Sequence, residues 1–439
     1  MKHGISLRTT AIASALLINC APVYATNGML MEGYGPVALS MGGASMAYDN
    51  GNAAMMNNPA ALQLGANGSR LDVALGVLGP DVMVAGEKSG GSSYVMPAFG
   101  WSRKNDQFTW GIGVFGQGGM GTEFSGSGPL AAGTGEPVRS ELAVGRVIFP
   151  LAYKVNSQLN LGGTLDYTWA SLDMRMAALF SAMAGMNPEP TGAFAAMMPT
   201  TPAGMAAMAS MPVRIDFSDD SNFTGAAKST GITGKLGATF AVNADLTLAA
   251  VYQMKTHLGD MKTSTSGATL TMGMPFTGQM VVRDFQMPSS MGVGAAWQAT
   301  PQLMLAVDVK KIAWSSVMSN FKMTFIEANG AGTMGFTMPQ GWQDQTVTSL
   351  GAAYRLNEAV TLRAGYSHST NPVPDATVHP LFPAIVKQHL TAGVGFKISE
   401  QVAMDVAVSH AHQVRVTSGQ GLPISHGQTN YQFLLSYRY

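Results

Sequence analysis

Two histidines set two residues apart are the first candidates for chemistry. In VSHAHQ, His410 and His412 fall on one face of any strand that carries them. Paired imidazoles can hold a metal or move a proton. Here neither job is completed, because no acid or nucleophile is placed beside them by spacing. They also continue the row Met404, Val406, Val408, which reads as an outward face. The single cysteine, Cys20, lies in the first 25 residues, so the remainder offers no disulfide and no thiolate metal site. The pattern points away from an enzyme and implies no catalytic residue, no metal and no cofactor.

A second set is charged. Asp72, Asp166, Lys235, Asp308, Lys310, Arg363, Lys397 and Asp405 alternate with apolar neighbours and read as inward-facing. Two uses fit them. They can pair with one another and brace an interior, as buried charges normally do, or one basic member can hold a ligand carboxylate.

The third set recognises rather than reacts. The excursion 173–228 is crowded with methionine and alanine, and it supplies Met174, Met176, Leu179, Phe180, Met183, Phe194, Met197 and Met198. Phe276, from the second apolar loop GATLTMGMPFTGQM, forms an opposite wall. Methionine is flexible and polarizable and suits apolar ligands of varied shape. These nine residues are the candidate groove for a hydrophobic small-molecule substrate; packing beneath a lid is the other use open to them.

The elements that position these groups follow from composition and period. The chain is 46% hydrophobic and 11% charged, against roughly 25% charged in an ordinary soluble domain. Beyond the N-terminus no apolar run reaches the ~20 residues of a spanning helix. The richest stretch, AFAAMMPTTPAGMAAMASM, is broken by Pro199, Pro202 and Gly204. Instead, apolar rows alternate with polar ones: Leu159, Leu161, Leu165, Tyr167, Trp169; Leu246, Leu248, Ala250, Tyr252; Leu303, Leu305, Val307, Val309. The chain ends on such a row, YQFLLSYRY. Short polar turns recur at 104–107, 155–158, 242–245, 299–302, 356–359 and 398–401, with long excursions between them. Short turns on one side and long loops on the other are the mark of an outer-membrane barrel. Six turns, a first strand near 70–84 and the terminal strand 428–439 predict an all-β, fourteen-stranded antiparallel transmembrane barrel.

Residues 1–25 read as a signal peptide, with Lys2 and Arg8 before an apolar stretch and Val23 and Ala25 at the cleavage site. Removing them leaves 25 − 2 = 23 basic against 25 acidic residues, a balance that gives no support to nucleic-acid binding.

Residues 26–66 do not alternate. Their stretch GYGPVALSMGGASMAYDNGNAAMMNNPAAL, ending in Asn58, Pro59 and Ala60, resembles the amino-terminal hatch of the FadL family of outer-membrane long-chain fatty acid and hydrophobic compound transporters. FQMPSSMGVGAAWQATPQLMLAVDVKKIAWS and LRAGYSHSTNPVP are similar to later strands of that family. The resemblance implies an N-terminal hatch (26–66) inside a barrel (67–439), passive uptake of long-chain fatty acids, with aromatic or aliphatic hydrocarbons as the alternative, and residence in the outer membrane of a Gram-negative cell. Outer-membrane lipid, lipopolysaccharide and the barrel-insertion machinery are then its partners. A general porin fits the apolar loops less well. Asn58-Pro59-Ala60 would belong to the hatch, or would simply cap a short helix or turn.

Glycine marks one strand. WGIGVFGQGGMG carries Gly111, Gly113, Gly116, Gly118 and Gly119. It is the third strand by count, where the family resemblance implies a kink and a lateral opening to lipid. Glycine also serves tight packing at bends.

Overall fold

The computed structural model describes residues 27–221 and 224–439. The expected signal peptide, with Cys20, lies outside these residues, as does Thr26.

Among the described residues a single hydrogen-bonded sheet contains 23 strands, eighteen of them six residues or longer. This corrects the expected fourteen-stranded barrel: the closed antiparallel sheet has eighteen strands of that length among the described residues. The reason is that the excursions fold into strands of their own. Pro212–Phe217, Met274–Arg283, Asn320–Glu327 and Thr333–Pro339 branch from the ring as a cap. Their short alternating runs bury Ile215, Met323 and Phe325 as firmly as a wall strand would. The remaining long strands follow one another antiparallel around a ring. It closes where Pro423–Arg438 pairs back on Gly68–Val84, from Arg70↔Arg438 to Val84↔Ile424. Closure satisfies the backbone without water, as a wall in lipid requires.

Each short turn is tied by its own side chain. Asn105, Asn156, Asn243 and Asn357 each accept two backbone N–H groups through Oδ1. Thr300 and Ser399 do the same with their hydroxyl oxygens. These are Asx and hydroxyl turns, which need only one residue to set the reversal.

The outer face is apolar. In the terminal strand Tyr431, Phe433, Leu435, Tyr437 and Tyr439 are all at least 41% exposed, while Gln432, Leu434 and Ser436 are buried. Trp101 and Trp110 meet edge to face at 5.0 Å, and Tyr437 stacks on Tyr439 at 5.5 Å. These pairs belong to an aromatic girdle near the short turns.

Residues 27–66 form short helical turns and are almost entirely buried against inward groups from around the ring. Ser45 and Met46 donate their N–H groups to Asp308 Oδ2 at 2.7 and 3.1 Å. Gly42 donates to Thr391 Oγ1 at 3.0 Å, and the Lys235 ammonium donates to the Met56 carbonyl. Ser409 and Asn430 donate to Glu32 Oε1 at 2.6 and 3.1 Å. Other interior charges pair with each other: Arg146 with Asp166 at 2.9 Å and Arg363 with Asp405 at 2.7 Å. Lys397 departs from the inward reading, because it pairs with Glu400 beside an exposed turn.

The segment can seat this closely because two facing wall residues lack side chains. Gly162 and Gly237 are cross-strand partners, and Asn58-Pro59-Ala60 sits on them. A Cβ at Gly162 would strike the backbone of Pro59 and Ala60; one at Gly237 would strike Asn58. The neighbouring Gly163 points outward and would meet only Leu236 Cδ2 at 3.6 Å and the Lys235 carbonyl at 3.7 Å. Gly162→Val is therefore expected to weaken the seat by about 1–3 kcal/mol, the usual cost of overpacking. Limited proteolysis of the folded barrel should then cut within residues 27–66. Gly163→Val should leave the segment protected; equal protection in both variants would contradict the seat.

Candidate functional site

Among the described residues the wall's ladder stops short on the glycine-rich strand Phe108–Phe124. Its ladder with Tyr94–Lys104 runs only from Lys104↔Thr109 to Phe99↔Val114. Beyond that point Tyr94–Ala98 and Phe115–Phe124 belong to no common ladder. The sequence supplies the cause. Pro97 has no N–H to give, and the register with Val138–Lys154 shifts between Gly116 and Gly118, a bulge that bends the strand. The freed edge is met by the N-terminal segment instead. Leu30 forms an antiparallel bridge with Gly118, and the Tyr34 hydroxyl donates to the Gln117 carbonyl at 2.6 Å. A Cβ at Gly118 would strike the Met29 carbonyl oxygen, so glycine is what permits this approach.

Four cavities form a string that ends at this discontinuity. A groove of about 580 Å³ lies in the cap, between Met176, Leu179, Leu130 and Pro380. It shares Met338, Gln340 and His379 with a neck of about 30 Å³, which Met174, Leu172, Phe285 and Trp342 also line. The neck shares Met29, Met120 and Leu142 with a chamber of about 300 Å³. The chamber shares Met31, Met96, Phe115 and Gly116 with a last cavity of about 50 Å³. Val95 and Val114, 40% and 37% exposed on the outer face, line the chamber together with inward Val82 and Phe115. Residues of both faces therefore line the chamber where the ladder is missing.

The path is almost without charge. No Lys or Arg lines any of the four cavities among the described residues. Burial pushes His379 down to about 4, and its Nδ1 accepts the Leu381 N–H at 3.2 Å, so the ring at the neck is neutral. Glu32 and Glu141 border the chamber, held by Asn430 and by Arg139 respectively.

The residues singled out from sequence separate into groups. Met174 lines the neck, and Met176 and Leu179 line the groove. Phe180 and Met183 are buried in the cap and border none of the four cavities. Phe194 meets Phe276 edge to face at 5.0 Å, and Met197, Met198 and Phe276 pack against the same core. Asn58 donates through Nδ2 to the Met46 carbonyl at 2.7 Å and accepts the Ala60 N–H at 3.1 Å, capping the turn Pro59–Leu64; the three residues stand apart from the chamber. Gly116, Gly118 and Gly119 line the chamber. Gly111 and Gly113 lie in the paired part of the strand. His410 and His412 face outward, 5.1 Å apart, with no carboxylate bonded to either among the described residues.

Sequence reasoning missed Arg146, which donates to Gln117, Asp166 and Gln253 at the buried centre. It also missed the run VHPLFPAIV (378–386), whose residues line the groove, neck and chamber. The signal was present: an apolar, proline-punctuated run inside a long polar excursion.

Comparison with known proteins places this geometry. Residues 25–436 match the family described as outer membrane protein transport protein (OMPP1/FadL/TodX). The crystal structure of the P. putida toluene transporter TodX superposes with a TM-score of 0.83 at 30% identity, covering 93% of this chain and 99% of that one. The long-chain fatty acid transport protein of Escherichia coli (strain K12) is 23% identical over 348 residues, 75% of this chain and 71% of that protein. A shorter stretch of 75 residues is 45% identical to an uncharacterized protein of Chlorobium limicola, spanning 17% of this chain and 36% of that relative. The chain belongs to the OMPP1/FadL/TodX family of outer membrane transport proteins, and its barrel is an outer-membrane transporter of hydrophobic compounds.

Proposed function

We propose that the transporter admits small, neutral, hydrophobic compounds of aromatic-ring size and releases them sideways into the membrane. The observation that carries this reading is the string of cavities, apolar and free of Lys and Arg among the described residues, that ends at the unpaired stretch of wall. A ligand would collect on the cap groove, pass the neck beside His379, rest in the chamber and leave between Tyr94–Ala98 and Phe115–Phe124. Dispersion contacts with methionine and leucine suffice for such cargo and impose few directional demands. The chamber is also of the right size. An apolar cavity of about 150 Å³ is enough for one benzene ring, and this one holds about 300 Å³.

The long-chain fatty acid expected from the family resemblance fits less well. Its carboxylate would enter a chamber bordered by Glu32 and Glu141, with no Lys or Arg in its lining among the described residues. The 30% identity to a toluene transporter, above the 23% to a fatty acid transport protein, points the same way. Transport of this kind changes no bond, and the outward His410 and His412 stand off the path. Residues 27–66 would act as the hatch: they cover the free edge at Gly118 and are tethered to the wall at the opposite end by Asn58, whose Nδ2 donates to the Ala238 carbonyl at 3.2 Å.

Two outcomes test the reading. In a strain stripped of other hydrophobic transporters, deleting this protein should slow toluene uptake and leave oleate uptake unchanged; the reverse would restore the fatty acid as cargo. Asn58→Ala removes a cap and a tether, a loss of about 1–2 kcal/mol. Toluene uptake should change while the barrel still assembles, as judged by its heat-modifiable migration. Unchanged uptake would reduce the motif to a turn.

A further inference from the structure

Resting on the reading above, we propose that two side chains, Tyr94 and Met96, set the width of the cargo by standing across the unpaired stretch of wall, while the strands on either side stay fixed. That stretch is framed at both ends. At one end the ladder stops at Phe99↔Val114. At the other end the two sides are tied again: Gly90 donates to the Glu123 carbonyl at 2.8 Å, and the Glu123 N–H donates to Ser89 Oγ at 3.0 Å. Between these ties Tyr94 and Met96 stand two residues apart on one strand, and so share a face. Both reach the opposite strand. A Cβ at Gly121 would strike the Tyr94 hydroxyl and ring, and one at Gly116 would strike the terminal methyl of Met96. Both residues also line the chamber, beside Val95 and Val114 of the outer face.

Energetics favour movement of the side chains over movement of the frame. Widening the opening by its frame would break the ladder at Phe99↔Val114 or the tie at Glu123. Each backbone group left unpaired in lipid costs several kcal/mol. Turning a side chain breaks none of these bonds. Among the described residues the Tyr94 hydroxyl has no hydrogen bond to give up. Methionine is unbranched, with three rotatable bonds, and conforms to whatever passes it. The tyrosine ring turns only as a rigid plate, so Tyr94 sets the limit and Met96 adapts. The glycines of this strand then have separate uses. Gly118 admits Met29 of the N-terminal segment, while Gly116 and Gly121 leave the opposite edge bare for Met96 and Tyr94 to lie on.

The test compares toluene with mesitylene, which adds two methyl groups to the same ring and is equally apolar. Initial uptake is measured at saturating cargo, so that affinity for the chamber drops out, in cells whose other hydrophobic transporters are deleted. Tyr94→Ala is expected to raise the mesitylene to toluene rate ratio about tenfold, the scale on which a close-fitting apolar site discriminates one methyl group. Met96→Ala should raise it less. Tyr94→Phe keeps the ring and should leave the ratio at the wild-type value. Tyr94→Leu keeps apolar packing with a shorter side chain, and should raise the ratio even where Tyr94→Ala fails to assemble, as judged by heat-modifiable migration. A ratio unchanged in Tyr94→Ala and Tyr94→Leu would overturn the proposal and place the size limit at the neck or in a movement of the strands. An equal rise in Tyr94→Phe would also overturn it, because the ring would then not be the barrier. If toluene enters at the same rate with and without the protein, the proposed cargo falls as well; if toluene entry needs the protein but the ratio ignores Tyr94, only the role of Tyr94 and Met96 falls.

Discussion

A wall in lipid cannot leave backbone hydrogen-bonding groups unpaired, because each one costs several kcal/mol there. The rest of this structure can be derived from that constraint and from the stretch of wall, on strand Phe108–Phe124, that departs from it. Closure of Pro423–Arg438 onto Gly68–Val84 removes the edges of the sheet. Between Tyr94–Ala98 and Phe115–Phe124 the ladder stops, and a free edge remains. It is tolerable because the N-terminal segment reaches it, through Leu30 at Gly118 and Tyr34 at Gln117, and because the chamber behind it is lined by the protein's own side chains.

That arrangement explains why the segment is so firmly held elsewhere. Asp308, Thr391 and Lys235 bind its backbone, and Ser409 and Asn430 bind its Glu32 side chain, from several sides of the ring. The facing glycines Gly162 and Gly237 give Asn58-Pro59-Ala60 room to lie flat on the wall. The segment is thus anchored at one end and bridged to the wall discontinuity at the other. The interior ion pairs, Arg146 with Asp166 and Arg363 with Asp405, spend their charge on each other, and among the described residues no Lys or Arg lines the apolar path.

Much of this is legible in the sequence, and the remainder has identifiable physical reasons for being hidden. Period-two alternation and the six turns disclose an antiparallel outer-membrane barrel, since the outward row must match lipid and one Asn, Ser or Thr sets each reversal. Strand number is not disclosed: a run such as FKMTFIE alternates identically in a wall or in a cap. The cap's apolar residues are visible, but their use is not. Phe194 and Phe276 pack on each other, while Met176 and Leu179 line space, and only contacts distinguish the two. The glycine-rich strand stands out by composition, yet its significance depends on Pro97 across from it and on Met29 and Leu30 inside. The seat for Asn58 needs the register that pairs Gly162 with Gly237.

The central claim is that cargo leaves through the wall between Tyr94–Ala98 and Phe115–Phe124. A reversible bridge across that passage tests it most directly. A Cβ placed on Gly116 lies 3.9 Å from the Cβ of Met96, within the range that a disulfide spans, and the described residues contain no cysteine to compete. The measurement is toluene uptake by the Met96→Cys, Gly116→Cys double variant, oxidised and then reduced. Uptake should fall on oxidation to the level of the deletion strain and recover on reduction. Equal uptake in the two states, with the bridge verified, would mean that cargo takes another way out.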